Sequence, residues 1–146
     1  MTKAVLKFLY KNALYLAFLQ AWAATLGSLY FSEIRHFNPC LLCWWQRILM
    51  YPLTIIFAVA IIRRDRNIAY YVLPISIIGM AIALYHYLLQ TTSLADVAPI
   101  SCSAYGPCRE VQALFLGFVT IPFLSLTAFG IITGLMAILL KFKNVR

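Results

Sequence analysis

The stretch "RRDRNIAYYVLPISIIGMAIALYHYLLQ", residues 63–90, sets the architecture of this chain. Residues 68–89 within it contain no Asp, Glu, Lys or Arg, and about 20 apolar residues in a helix cross the roughly 30 Å of hydrocarbon in a bilayer. The charged pentapeptide in front of them is predicted to be a tight turn. Apolar segments of comparable length occupy residues 13–31, 44–62 and 113–140. The sequence therefore predicts an all-α membrane protein, a single four-transmembrane-helix bundle over residues 1–146.

Composition agrees with this prediction. Hydrophobic residues make up 64% of the chain and charged residues 11%, and the mean hydropathy is +0.88. Such a chain has too little polar surface for a soluble domain of this size. The net charge of +8 does not indicate nucleic-acid binding, because the basic residues are distributed according to membrane topology.

Basic residues cluster on one side of the predicted membrane. Nine of them precede the first span, lie between the second and third, or follow the fourth: Lys3, Lys7, Lys11, Arg63, Arg64, Arg66, Lys141, Lys143 and Arg146. Asp65 is the one acid on that side, so its balance is nine minus one, or +8. The other side balances to zero, with Arg35, Arg47 and Arg109 against Glu33, Asp96 and Glu110. By the positive-inside rule both termini are cytoplasmic and the loop 90–112 is external.

The first external motif is "NPCLLCWWQR", residues 38–47. Its Asn-Pro start is predicted to form the N-cap and first turn of the second helix. Cys40 and Cys43, three residues apart, would then share a helix face, and Arg47 would continue it. A helix N-terminus and a nearby cation both favour the thiolate form of cysteine. The three residues are predicted to form a reactive dithiol at the membrane boundary.

Other interpretations of these residues remain open. Arg47 could extend toward the lipid headgroups, and the cysteines could be inert or form a structural staple, although so small a loop constrains the unfolded chain little. A zinc site would require Cys102 and Cys108 to complete it, and the five residues between them exceed the usual two to four. No metal is therefore predicted.

The second motif, "CSAYGPC" at residues 102–108, lies in the external loop 90–112. The Gly-Pro pair inside it favours a turn that brings the two thiols together, and a loop of this length is typical of a functional segment. Considered alone, Cys102 and Cys108 could equally form a structural disulfide that stabilises the loop. Two pairs on one membrane face, in a compartment where disulfides persist, instead favour thiol–disulfide exchange between them.

Such a relay needs a terminal electron acceptor. A disulfide at the membrane boundary can meet a lipid-soluble oxidant, and a quinone fits. Its ring carbonyls require hydrogen-bond donors, for which His86 in the third span and Gln90 one turn later are the candidates. A histidine in a span indicates a functional site, although a hydrogen bond between helices would also explain it.

These motifs resemble the DsbB/BdbC family of membrane thiol:quinone oxidoreductases. "CLLCWWQR" resembles the family's C-x-x-C followed by arginine in the second helix, and "YHYLLQ" matches its His-x-x-x-Gln in the third. Four spans bracket an external cysteine pair, as in the family. The short cysteine loop, Gln46 before the arginine, and "GFVTIPF" in the fourth span resemble the BdbC branch of Gram-positive bacteria.

The resemblance implies a route for electrons. Cys102 would form a mixed disulfide with a reduced, extracytoplasmic thioredoxin-like oxidase of DsbA or BdbD type. Cys108 would exchange with Cys40, and Cys43 would pass electrons to menaquinone or ubiquinone beside Arg47. The resemblance also implies a multi-pass protein of the bacterial cell membrane with extracytoplasmic cysteines. Its partners would be that oxidase, quinone and membrane lipid, and not nucleic acid.

Two other functions account for parts of the sequence. The vitamin K epoxide reductase family shares four core helices, C-x-x-C and quinone chemistry, but there the loop cysteines precede the C-x-x-C. A non-enzymatic four-span scaffold with a stapled loop would explain Cys102 and Cys108, but not the stripe of Cys40, Cys43 and Arg47.

Three local features carry further expectations. The N-terminus resembles a cleavable signal because Ala21-Trp22-Ala23 has the A-x-A form, but the apolar run continues to Phe31, long enough to span. Prolines are expected inside spans and glycines at close helix contacts. These are Pro52, Pro74 and Pro122, and Gly79, Gly117, Gly130 and Gly134.

Overall fold

The computed structural model of the chain describes residues 3–92 and 120–143. It has four helices: α1 (Lys3–Leu29), α2 (Leu41–Arg63), α3 (Ala69–Thr91) and α4 (Ile121–Lys143). A π-helical turn, Tyr30–Ile34, extends α1. Within these two ranges every regular secondary-structure element is a helix, and all four α-helices are long and apolar enough to cross a membrane. The predicted fold class is confirmed; Cys102, Cys108 and residues 113–119 of the fourth predicted span lie outside the described residues.

The helices form a closed square in which α1 packs against α2 and α4, and α3 packs against α2 and α4. An alanine stripe on α1, Ala13, Ala17 and Ala21, is fully buried and allows its neighbours to approach closely. Large side chains from the other helices, such as Phe57 on α2 and Phe129 on α4, fill the centre. Many large apolar side chains remain exposed around the outside, as lipid contact requires.

Close helix contact occurs at one of the predicted glycines. A Cβ added to Gly79 on α3 would lie 2.5 Å from Cζ and 2.7 Å from Cδ1 of Phe129, a ring that is fully buried on α4. Added at Gly130 or Gly134, it would meet nothing within 4 Å. The expectation is therefore correct for Gly79 and wrong for those two, where an added Cβ would have no neighbour in contact; Gly117 lies outside the described residues.

Two of the three prolines lie inside helices, as expected. Pro52 and Pro74 are within α2 and α3. Pro122 is instead the second residue of α4, so the expectation of a proline in the interior of the span is wrong. In a first turn the missing N–H would have no partner in the helix, and proline is tolerated there without a bend.

Aromatic and basic contacts identify one end of the bundle. The Arg66 guanidinium lies 4.9 Å from the centre of the Tyr10 ring, which is 5.7 Å from the Phe142 ring. These contacts join the start of α1, the α2–α3 turn and the end of α4. The turn is tight, as predicted: Arg64 takes a left-handed conformation (φ 53°), and the Asp65 N–H donates to the Ala60 carbonyl. The C-x-x-C motif lies at the opposite end.

Candidate redox site

Cys40 is the N-cap of α2. Its backbone is extended (φ −71°, ψ 170°), the helix begins at Leu41, and its carbonyl accepts the first helical hydrogen bond from the Trp44 N–H at 3.0 Å. The expectation that Asn38 would cap the helix is wrong by two residues. Packing explains the difference, because the extended conformation accompanies burial of Cys40, which is 4% exposed beside Leu89 of α3.

The two cysteines face each other across the first turn. Their Sγ atoms are 3.3 Å apart, and both are free thiols. Cys40 precedes the membrane span. The hydrogen bond with the Cys43 thiol lowers the pKa of Cys40 to about 4; burial opposes this shift, and the nearby His86 imidazole supports it. The pair can therefore hold one sulfur as a thiolate, the form that attacks disulfides.

A histidine and a glutamine complete the buried side of the pair. His86 of α3 is 1% exposed, and its Nε2 lies 3.6 Å from Cys40 Sγ. Its Nδ1 lies 3.2 Å from Nε2 of Gln46 on α2. The Sγ atoms of Cys40 and Cys43 and a ring nitrogen of His86 all lie within 4.8 Å of one another.

The opposite side of the pair opens into a cavity of about 260 Å³ between α1, α2 and α4. Cys43, Gln46 and Arg47 lie on its wall, together with the polar Gln20 and Tyr51. Small and apolar side chains supply much of the remaining surface, among them Ala23, Ala24, Gly27, Phe31, Met50 and Leu124. One of the two cysteines thus lines a largely apolar chamber at the end of the bundle.

Arg47 is partly buried and makes contacts with α1 and with its own helix, α2. Its Nη2 donates to the Ser28 carbonyl at 3.1 Å, and its guanidinium lies 5.8 Å from the centre of the Trp44 ring. The Tyr51 hydroxyl donates to Ser28 Oγ at 3.4 Å. These contacts place the charge on the cavity wall, which disfavours the interpretation that Arg47 only reaches for headgroups.

The structure brings Cys40 into contact with Cys43 and His86, and it places Cys43 and Arg47 on the same cavity wall. Among the described residues, the cavity wall comes from α1, α2, α4 and the α1–α2 connection. His86, and Gln90 at the end of the same helix, belong to α3. A quinone contact by these two residues stays a prediction.

The contacts of Gln46, Ser28 and Tyr51 at the site were not predicted from the sequence. In the sequence, Gln46 served only as a point of resemblance to the BdbC branch of the DsbB/BdbC family. A signal was available, since a polar side chain inside a span, three residues after Cys43, indicates a buried hydrogen bond. The contacts at Ser28 depend on how α1 meets α2, for which the sequence has no comparable signal.

The fold and the site define a class: a four-span membrane protein with a C-x-x-C dithiol at the start of its second span. The family model for disulfide bond formation protein DsbB matches residues 10–139, and the chain belongs to this family. It is 46% identical over 131 residues to probable disulfide formation protein C 1 of Bacillus anthracis, covering 90% of this chain and 94% of that one. It is 47% identical over 127 residues to disulfide bond formation protein C of Bacillus subtilis, covering 86% and 91%. No solved structure matches the chain.

Proposed function

We propose that this protein is a membrane thiol:quinone oxidoreductase that reoxidises an extracytoplasmic thioredoxin-like dithiol oxidase and so supports disulfide bond formation in exported proteins. The observation that carries the proposal is the placement of Cys43 and Arg47 on one wall of a largely apolar cavity, with Cys40 in contact with Cys43 behind it. Membership of the DsbB family supports the same function.

The cavity has the properties that a quinone headgroup requires. Its volume of about 260 Å³ lies just below the roughly 300–1,000 Å³ typical of small-molecule pockets, which suits a flat ring. Its apolar wall would hold the ring, while the Arg47 guanidinium has N–H groups beyond the one that binds Ser28 to donate to ring oxygens. When bound, a quinone would supply an acceptor for two electrons and two protons.

The residues divide the chemistry between two sides of the dithiol. Oxidation of Cys40 and Cys43 to a disulfide would release two electrons and two protons, the number that a quinone would accept. Cys43 faces the cavity and is proposed to deliver the electrons, with Arg47 stabilising negative charge beside it. Cys40 faces α3 and is proposed to exchange with the loop pair, Cys102 and Cys108.

The orientation of the protein in the membrane is proposed from the distribution of its charged residues. The basic end of the bundle would face the cytoplasm and the C-x-x-C end the exterior. In a chain with every cysteine replaced by serine, a cysteine introduced as His36→Cys should react with a membrane-impermeant maleimide on intact cells. Asn67→Cys should react only after the cells are opened. The reverse pattern would contradict this orientation.

The test of the function is turnover with purified components. The protein, a reduced thioredoxin-like dithiol and menaquinone or ubiquinone are combined, and dithiol and quinone are followed together. We expect one quinone to be reduced for each dithiol oxidised, and no reaction without both. A preparation that consumes neither substrate would refute the proposal, and consumption of an epoxide would favour the vitamin K epoxide reductase type.

Filling the cavity should weaken the use of quinone. Gly27 lines the cavity with nothing within 4 Å of an added Cβ, so Gly27→Leu projects a four-carbon side chain into open space. We expect the KM for quinone to rise at least about tenfold, equivalent to about 1.4 kcal/mol of binding, while the KM for the dithiol partner is unchanged.

Gly134→Leu is the matched control, because Gly134 also has open space around it but does not line the cavity. We expect this variant to keep the parental KM for quinone. Equal quinone kinetics in the Gly27 and Gly134 variants would show that the quinone binds elsewhere.

A further inference from the structure

Gln46 connects the cavity side of the redox site to its buried side. It is 5% exposed, lines the cavity, and places its carboxamide Nε2 3.2 Å from His86 Nδ1. A buried polar group costs free energy unless it is hydrogen-bonded. Its contact with His86 joins α2 to α3 directly behind the two thiols.

With the Gln46 carboxamide nitrogen placed toward Nδ1, the contact assigns the proton of the His86 imidazole to one ring nitrogen. The carboxamide NH₂ of Gln46 is a donor only, so the Nδ1 that receives its hydrogen bond must be unprotonated. The neutral imidazole then carries its proton on Nε2, which lies 3.6 Å from Cys40 Sγ. A hydrogen bond at one ring nitrogen of a histidine commonly fixes the tautomer and the orientation of the imidazole ring in this way.

We propose that Gln46 is a positioning residue that acts through His86, keeping the Nε2–H of the imidazole directed at the Cys40 sulfur. This inference rests on the proposed function only in that Cys40 is taken to be a redox thiol. His86 then serves the exchange step at Cys40, on the α3 side of the dithiol, and stabilises its thiolate. The cavity side is served by Arg47.

The groups that face Cys40 in the described part of the chain come from two helices. Cys43 on α2 and His86 on α3 interact with its sulfur, and Tyr85 on α3 packs against the same cluster. Arg47 interacts electrostatically with Cys43. A full-length chain carrying Cys43→Ser, Cys102→Ser and Cys108→Ser isolates Cys40 and keeps a hydroxyl donor beside it.

The first measurement is the ultraviolet absorbance of the Cys40 thiolate against pH in that chain, corrected with a chain that also carries Cys40→Ser. We expect Gln46→Met, which removes the amide at similar size, to raise the titration midpoint by about one pH unit, a tenfold change in the equilibrium. His86→Ala should raise it at least as much. Gln20→Met is the matched control, because Gln20 lines the same cavity and should leave the midpoint unchanged.

A double variant separates action through His86 from a direct effect. If Gln46 acts through His86, adding Gln46→Met to His86→Ala should cause no further shift. An equal shift with and without His86, or no shift in Gln46→Met, would overturn the proposal.

The second measurement reads the tautomer in the otherwise unchanged protein, and so does not depend on whether Gln46→Met folds. Ring ¹⁵N chemical shifts of His86, assigned against a His36→Gln chain, should show the proton on Nε2. A proton on Nδ1 would overturn the proposal. Neither measurement uses quinone or partner, so a protein that fails to turn over leaves both results interpretable.

Discussion

Cys43→Ser is expected to reduce quinone-dependent oxidation of the dithiol partner by roughly a thousandfold or more. A serine oxygen cannot form a disulfide with Cys40, and the cavity wall would then hold no sulfur to deliver electrons. Turnover is measured with saturating dithiol and varied quinone. Because serine is close to cysteine in size and Cys43 is only partly buried, the thermal unfolding midpoint in micelles should stay near that of the parent.

Two further variants test whether the loss of turnover in Cys43→Ser comes from the loss of the dithiol. Cys40→Ser should also abolish turnover, since the disulfide needs both sulfurs. Arg47→Ala should keep the dithiol intact and chiefly raise the KM for quinone, by about 10- to 100-fold if a charged hydrogen bond worth roughly 1.5–3 kcal/mol is lost. Substantial turnover in Cys43→Ser would refute the mechanism, and unchanged quinone kinetics in Arg47→Ala would refute the role of the arginine.

Gly79→Ala is expected to lower the free energy of unfolding by about 1–3 kcal/mol. The new methyl group would overlap the Phe129 ring, which is fully buried. Either the ring leaves its rotamer or α3 and α4 separate, and both weaken the bundle. Unfolding is followed by helical circular dichroism during titration with a denaturing detergent.

Gly130→Ala is the control for this prediction, because alanine there meets nothing within 4 Å and improves helix propensity by up to about 1 kcal/mol. We expect it to be neutral or stabilising. Adding Phe129→Leu to Gly79→Ala should recover part of the loss by removing the ring. Equal stability of the two glycine variants would show that α3 and α4 do not meet closely at Gly79.

Predictions from local pattern failed where packing decided the outcome. The Asn-Pro signal placed the cap of α2 at Asn38, but burial of the thiol against α3 moves it to Cys40. Gly79 and Gly130 look alike in sequence, and only the position of Phe129 distinguishes them. Pro122 looked internal because the apolar pattern continues on both sides of it, whereas α4 begins one residue earlier.

The sequence by itself determined the four spans, the separation of charge along the bundle axis, and the grouping of Cys40, Cys43 and Arg47. These follow from apolar length, from counts of basic residues and from spacing along one helix, all of which are local. Only the tertiary structure decided that Cys43 faces a cavity while Cys40 faces His86, and that Gln46 lies between the two sides. Those relations depend on how α1, α3 and α4 are placed around α2, and side-chain packing between distant segments leaves no periodic signal in the chain.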